Sequence, residues 1–205
     1  MKMHWTPEER RLLRSLKSPE KIQDYLNKLI YNPTDHASSP RWVMITKEAH
    51  CFEGGLLAAC ALELQGHKPL MVDLIAQNDD HHVLTVYKAS TGWGSISKSN
   101  LALLSGRRPY FASIRELVMS YFPFYFNIEG QPSLYGYSNP INLNNFKSWD
   151  WRTTDADLME MGMSFAEYPH FEIISPRQIT KLSKVEKRVF DACLLGADLS
   201  GVYRP

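Results

Sequence analysis

Ala49-His50-Cys51-Phe52-Glu53-Gly54-Gly55-Leu56-Leu57-Ala58-Ala59 is the stretch on which the fold turns. Small and apolar residues continue from it to Gln65, with Leu56, Ala59, Cys60 and Leu62 on one stripe and Gly66 as the stop. The spacing predicts a helix over 49–65 with Cys51 in its first turn. Three short strand candidates follow at Pro69–Ala76, His82–Lys88 and Trp93–Ser97. Gln77-Asn78-Asp79-Asp80 separates the first two, and Ala89-Ser90-Thr91-Gly92 makes a hairpin of the second and third. One helix followed by an antiparallel meander predicts an α+β fold rather than a doubly wound sheet.

Outward from this core the chain is read as a single domain over 1–205. Thr6-Pro7-Glu8-Glu9 and Ser18-Pro19-Glu20 are two helix starts, so 6–31 is a helical preface. The core occupies 41–100, and 101–205 is a C-terminal helical elaboration. In that last part helices are expected at Ile114–Phe122, from Thr154 to about Glu167 and at Ser183–Leu195, with Gly130–Asn145 as irregular loop. Tyr121-Phe122-Pro123-Phe124-Tyr125-Phe126 reads first as a buried packing wedge, given the area aromatics bury.

Composition bounds the function classes. The 205 residues are 44% hydrophobic and 22% charged, ordinary globular usage. Lys+Arg 23 against Asp+Glu 22 leaves +1, so no bulk field favours nucleic acid or an anionic membrane. The uncharged run Leu117–Ile128 is broken by Pro123 and too short to span a bilayer. MKMHWTPEERR lacks an apolar leader core, so the expected location is cytoplasmic. Cysteines at 51, 60 and 193 are too few and scattered for a disulfide framework.

Among them Cys51 stands apart. At a helix start, free backbone N–H groups and the positive dipole end favour thiolate, and the same amides hold a developing oxyanion. Cys60 and Cys193 read as buried small hydrophobes. Asp79-Asp80-His81-His82 opens the next strand but one, and only one of two adjacent strand histidines can share a site with Cys51. A thiol with such an imidazole is a nucleophile–base pair. Carboxylate and imidazole also suit a metal, but alternation sends the neighbours outward, so no metal and no cofactor is expected.

Cys51–Ala59, Gly66-His67-Lys68-Pro69-Leu70-Met71-Val72, Asp80–Leu84 and Gly92-Trp93 together resemble the transglutaminase-like branch of the papain-like cysteine protease superfamily. The resemblance covers about residues 45–100, and Trp93–Asn100 with Arg108–Tyr121 resemble a bacterial branch of it. It implies a papain-like core, a helix packed on an antiparallel sheet, to which this chain is expected to add helices at both ends. It also implies a Cys-His-Asp triad in which Cys51 is the nucleophile and His82, preceding Val83-Leu84, is the base. The acid position falls on Ser97, which accepts a hydrogen bond but carries no charge. Asn100, Asp79 and Asp80 are the other candidates for that place. Cys51-Phe52-Glu53 also resembles arylamine N-acetyltransferases on a related core. Trp93, Arg107 and Arg108 are candidate substrate-binding residues, the arginines as forks for a planar anion or, on the plainer reading, a solvated pair. The expected function is thiol-dependent acyl transfer, foremost hydrolysis of a peptide or small amide substrate. The alternative is a binding module that kept the fold and lost catalysis.

Overall fold

The computed structural model describes residues 5–203. Residues 1–4, the start of the stretch read for a leader, and residues 204–205, the end of the C-terminal segment, lie outside the described residues. In chain order the elements are α1 (Pro7–Ser15), α2 (Pro19–Leu26), β1 (Ile30–Tyr31), α3 (Pro40–Thr46), β2 (Glu48–Ala49), α4 (Cys51–Leu64), β3 (Leu70–Ala76), β4 (His82–Ala89) and β5 (Gly92–Ile96). They continue as β6 (Arg107–Phe111), α5 (Ile114–Met119), β7 (Leu134–Ser138), β8 (Ile141–Asn142), α6 (Met159–Met163), β9 (His170–Glu172), α7 (Pro176–Ile179) and α8 (Lys187–Cys193). The fold is mixed α+β around a large antiparallel sheet.

That sheet runs β6-β5-β4-β3-β7-β9, with β8 paired to the first residues of β3. Alternation along β3 and β4 feeds two cores. Met71, Val83 and Tyr87 join α4 and the preface residues Leu13, Ile22 and Leu26 on one face. Val72, Leu74, Leu84 and Val86 meet Leu104, Leu117, Tyr121 and Tyr125 on the other. Strands covered on both faces read as near-continuous apolar runs, which is why these two were visible in the sequence. Helix α4 is buried all round from Phe52 to Leu62 and therefore has little amphipathic contrast.

Both preface starts form as expected, with Thr6 capping α1 through Glu9 N–H and Ser18 capping α2 through Lys21 N–H. The C-terminal part differs from the expectation of a helical elaboration, because it supplies β6, β7, β8 and β9. The expected loop Gly130–Asn145 holds β7, an interior strand registered Leu74↔Tyr137 and Ile75↔Gly136. Its turn-forming residues hid it, yet a Cβ on Gly136 would lie 2.9 Å from Ile75 Cδ1, so a small residue is needed there. The helix expected from Thr154 contracts to α6 and a 3-10 turn at Ser164–Glu167. Upstream of it, Asp157 accepts hydrogen bonds from Ala37 and Met159 N–H, and Leu158 N–H donates to Ala37, so tertiary bonds replace helical ones. The last helix shortens to α8, where Val185 N–H donates to Gly130 instead of starting a turn. The aromatic block does form a wedge, with Tyr121, Tyr125 and Phe126 buried.

Candidate active site

His50 caps α4, and Cys51 is the first residue of the helix. The cap is a reciprocal box: His50 Nδ1 accepts from Phe52 N–H at 3.2 Å, and the Glu53 carboxylate accepts from His50 N–H at 2.7 Å. Glu53 is itself buried, and it also accepts from Ser38 N–H at 2.7 Å and Asn32 Nδ2 at 3.0 Å. One carboxylate thus ties the 32–38 loop to the turn that carries the thiol. Gly54 and Gly55 let the helix sit close on the sheet. A Cβ on Gly54 would fall 2.4 Å from Lys98 Cβ, and Thr85 Oγ1 donates to Gly55 O at 2.7 Å.

The Cys51 sulfur lies against the backbone N–H groups of Val83 and Phe52, which favour the thiolate. Burial outweighs them and, with Asp80 and Asp73 adding repulsion, pushes the thiol up to about 12. The lowering expected from the helix start is therefore reversed: desolvation of a thiolate exceeds what two amides return. Among the described residues no hydrogen bond joins the thiol to His81 or His82. Cys60 and Cys193 are buried, and all three cysteines are free.

His82 is buried at the start of β4, and its Nε2 lies 2.7 Å from Ser97 Oγ. Ser97 is immobilised by Gln23, which accepts from its N–H at 3.0 Å and donates to its carbonyl at 2.8 Å. Burial pulls the imidazole down to about 4, with the Leu104 backbone opposing, so the ring is neutral at pH 7. Its face of β4 is that of Leu84 and Val86, and Tyr125 meets the ring edge-on with centroids 6.5 Å apart.

A cleft of about 670 Å³ gathers Cys51, Asp73, His81, His82, Asn100 and Tyr125. Its rim is formed by Tyr31 to Asp35 on one side and Ser200 to Tyr203 on the other. Asn100 does not reach His82. Its Nδ2 donates to Asp198 O at 2.7 Å and its Oδ1 accepts from Asp198 N–H at 2.8 Å, so it anchors the C-terminal segment. Asp79 accepts from Ser133 Oγ at 2.6 Å, and burial raises its carboxyl to about 6. Burial raises Asp80 as well.

Trp93, Arg107 and Arg108 lie outside the cleft lining. Arg107 is spent on the carbonyls of Ser105 at 2.6 Å and Leu103 at 2.9 Å, and stacks 4.0 Å from the Tyr121 ring. Trp93 lies under Lys88 Nζ at 5.5 Å, and Arg108 is exposed on β6.

Sequence reasoning missed Asp73. This buried carboxylate sits 3.0 Å (Oδ2) from His170 Nε2 and 3.9 Å from His81 Nδ1. The available signal was a lone charge inside the apolar run Leu70–Ala76, since an ionised residue is rarely buried without a partner. His170, in Tyr168-Pro169-His170, carried no such mark. Among the described residues no group of three or more His, Cys, Asp or Glu side chains is arranged to hold a metal ion. No family model matches the chain, and no curated protein matches it.

Proposed function

We propose that the protein is a thiol-dependent acyl-transfer enzyme, with hydrolysis of a peptide or small amide bond as its foremost reaction. The fold would be papain-like or transglutaminase-like, as the resemblance of residues 45–100 implies. The observation that carries the reading is the pairing of elements around one cleft. A helix-start thiol beside backbone donors lines it together with two imidazoles, His81 and His82, and the carboxylate of Asp73.

Both partners are neutral at pH 7, so the chemistry starts from thiol and imidazole rather than from an ion pair. Cys51 attacks the carbonyl as its proton leaves for a neighbouring imidazole, and the amides around the sulfur take the oxyanion. Ser97 orients His82 but supplies no charge to an imidazolium. That deficit favours the second reading, a binding module on the same fold.

An activated acyl ester separates the two. An enzyme gives a burst of one leaving group per chain and a thioester on Cys51 detectable by mass spectrometry, both lost in Cys51→Ala. Acylation that persists in Cys51→Ala, or no acylation at all, supports the binding module instead.

A further inference from the structure

The carboxylate absent from position 97 stands on the other neighbour of the histidine strand. Asp73 on β3 is the register partner of Val83, and both line the cleft together with Cys51 and His81. Alternation along β4 gives Val83 to the α4 face and Leu84 to the opposite one. His81, the residue just before β4, lies on the side of Val83 and Asp73, with its Nδ1 3.9 Å from Asp73 Oδ2. His82 points to the far face. Behind Asp73, His170 Nε2 holds the same oxygen at 3.0 Å, and Asp73 N–H donates to Ser138 Oγ at 2.9 Å.

Building on the reading of Cys51 as nucleophile, we propose that His81 is the proton acceptor of the site. Asp73 and His170 are its positioning residues. With Nδ1 turned to Asp73, Nε2 is the ring nitrogen left for the thiol. As Sγ bonds to the carbonyl carbon, the C=O π pair moves to oxygen and the thiol proton passes to His81 Nε2. The imidazolium then donates Nδ1–H to Asp73. On collapse the oxygen pair re-forms C=O, the C–N bond breaks, and the departing nitrogen takes the proton from Nε2. The histidine is half-exposed at a loop–strand junction, so its ring has room to close the roughly 1 Å by which 3.9 Å exceeds a hydrogen bond. Charges facing it are Asp80 from its own turn and Asp73 from β3, with His170 beyond.

The test is the rate of Cys51 alkylation by iodoacetamide from pH 5 to 10 on the full chain, with the labelled peptide identified by mass spectrometry. His81→Gln is expected to slow labelling at pH 7.5 by about 10²-fold, the lower range for a lost general base. Asp73→Asn and His170→Gln are expected to displace the pH midpoint of labelling, which a merely structural role leaves in place. Far-ultraviolet circular dichroism of each variant confirms folding, and His81→Gln, changing a half-exposed side chain, stands if Asp73→Asn does not fold. Wild-type rate and midpoint in His81→Gln would overturn the assignment while leaving Cys51 as nucleophile. Failure of the activated acyl ester to acylate Cys51 in the wild type would remove the nucleophile itself.

Discussion

His82, buried, and Asp79, half-buried, are two titrating groups at one cleft, and desolvation shifts them in opposite directions. Burial lowers His82 from 6.5 to about 4. Between those values the unfolded chain binds a proton that the folded chain refuses. The contribution of His82 is therefore full above pH 6.5 and lost as the pH falls through 4, a difference of about 3 kcal/mol. Asp79 is raised from 3.8 to about 6. Its contribution is full below pH 3.8 and lost as the pH rises through 6. The windows overlap with opposite signs, so the wild type is expected to change little in stability between pH 6 and 4 on their account. His82→Gln keeps a donor for Ser97 and removes the acid loss, so it gains relative stability on acidification. Asp79→Asn removes the compensating gain and steepens the loss. Urea denaturation midpoints at pH 4, 5, 6 and 7 check both, and parallel curves for wild type and His82→Gln would mean that His82 titrates normally.

Helix α4 is the element on which the site depends, and its sequence told more about the thiol than about the contacts beneath it. The helix start and the strands at 70–76 and 82–89 were readable, because periodicity and turn residues are local signals, whereas the place of Ser97 opposite His82 came from the resemblance. Asp73 and His170 were not, because they meet across β3, β7 and β9, and β7 lies in a stretch rich in Asn, Pro and Gly. Sheet pairing of that kind is set by tertiary packing rather than by local preference. The glycine pair of α4 shows the same limit, since Lys98 and Met71 are distant in sequence. Gly54→Ala gains helix propensity of about 1 kcal/mol but drives its Cβ to 2.4 Å from Lys98 Cβ, an atom fixed to the backbone after β5. Gly55→Ala meets Met71 Cε, the free end of a flexible side chain, at the same 2.4 Å. The expected net cost is about 2 kcal/mol for Gly54→Ala and less for Gly55→Ala. Equal costs in chemical denaturation would show that α4 moves as a body. Glu53→Ala leaves His50 N–H, Ser38 N–H and Asn32 Nδ2 without their acceptor, and is expected to cost on the order of 3 kcal/mol. Glu53→Gln, which keeps one acceptor oxygen, should recover part of that loss in the same assay.

At the scale of the whole molecule the cleft is bordered by segments distant in sequence as well as by the sheet. The 31–35 segment forms one rim, and the segment after α8 forms the other, with Ser200 to Tyr203 lining the cleft. What holds the second rim is Asn100, through its two bonds to the Asp198 backbone, while Gly201 lies so near Tyr31 that a Cβ there would come within 2.7 Å of the ring. Asn100 thus serves the site without touching the imidazole: it closes the entrance that the resemblance expected it to equip chemically. Asn100→Ala removes both bonds at a surface where water satisfies the freed groups, so little global stability is at stake. The segment after Gly196 should become cleavable at lower protease concentration, because local opening costs less than unfolding. Cys51 labelling should rise with it, by the factor by which open molecules increase. Faster cleavage with unchanged labelling would mean that reagents already enter past the other rim, and that Tyr31 and Asp35, not the C-terminal segment, govern access to the thiol.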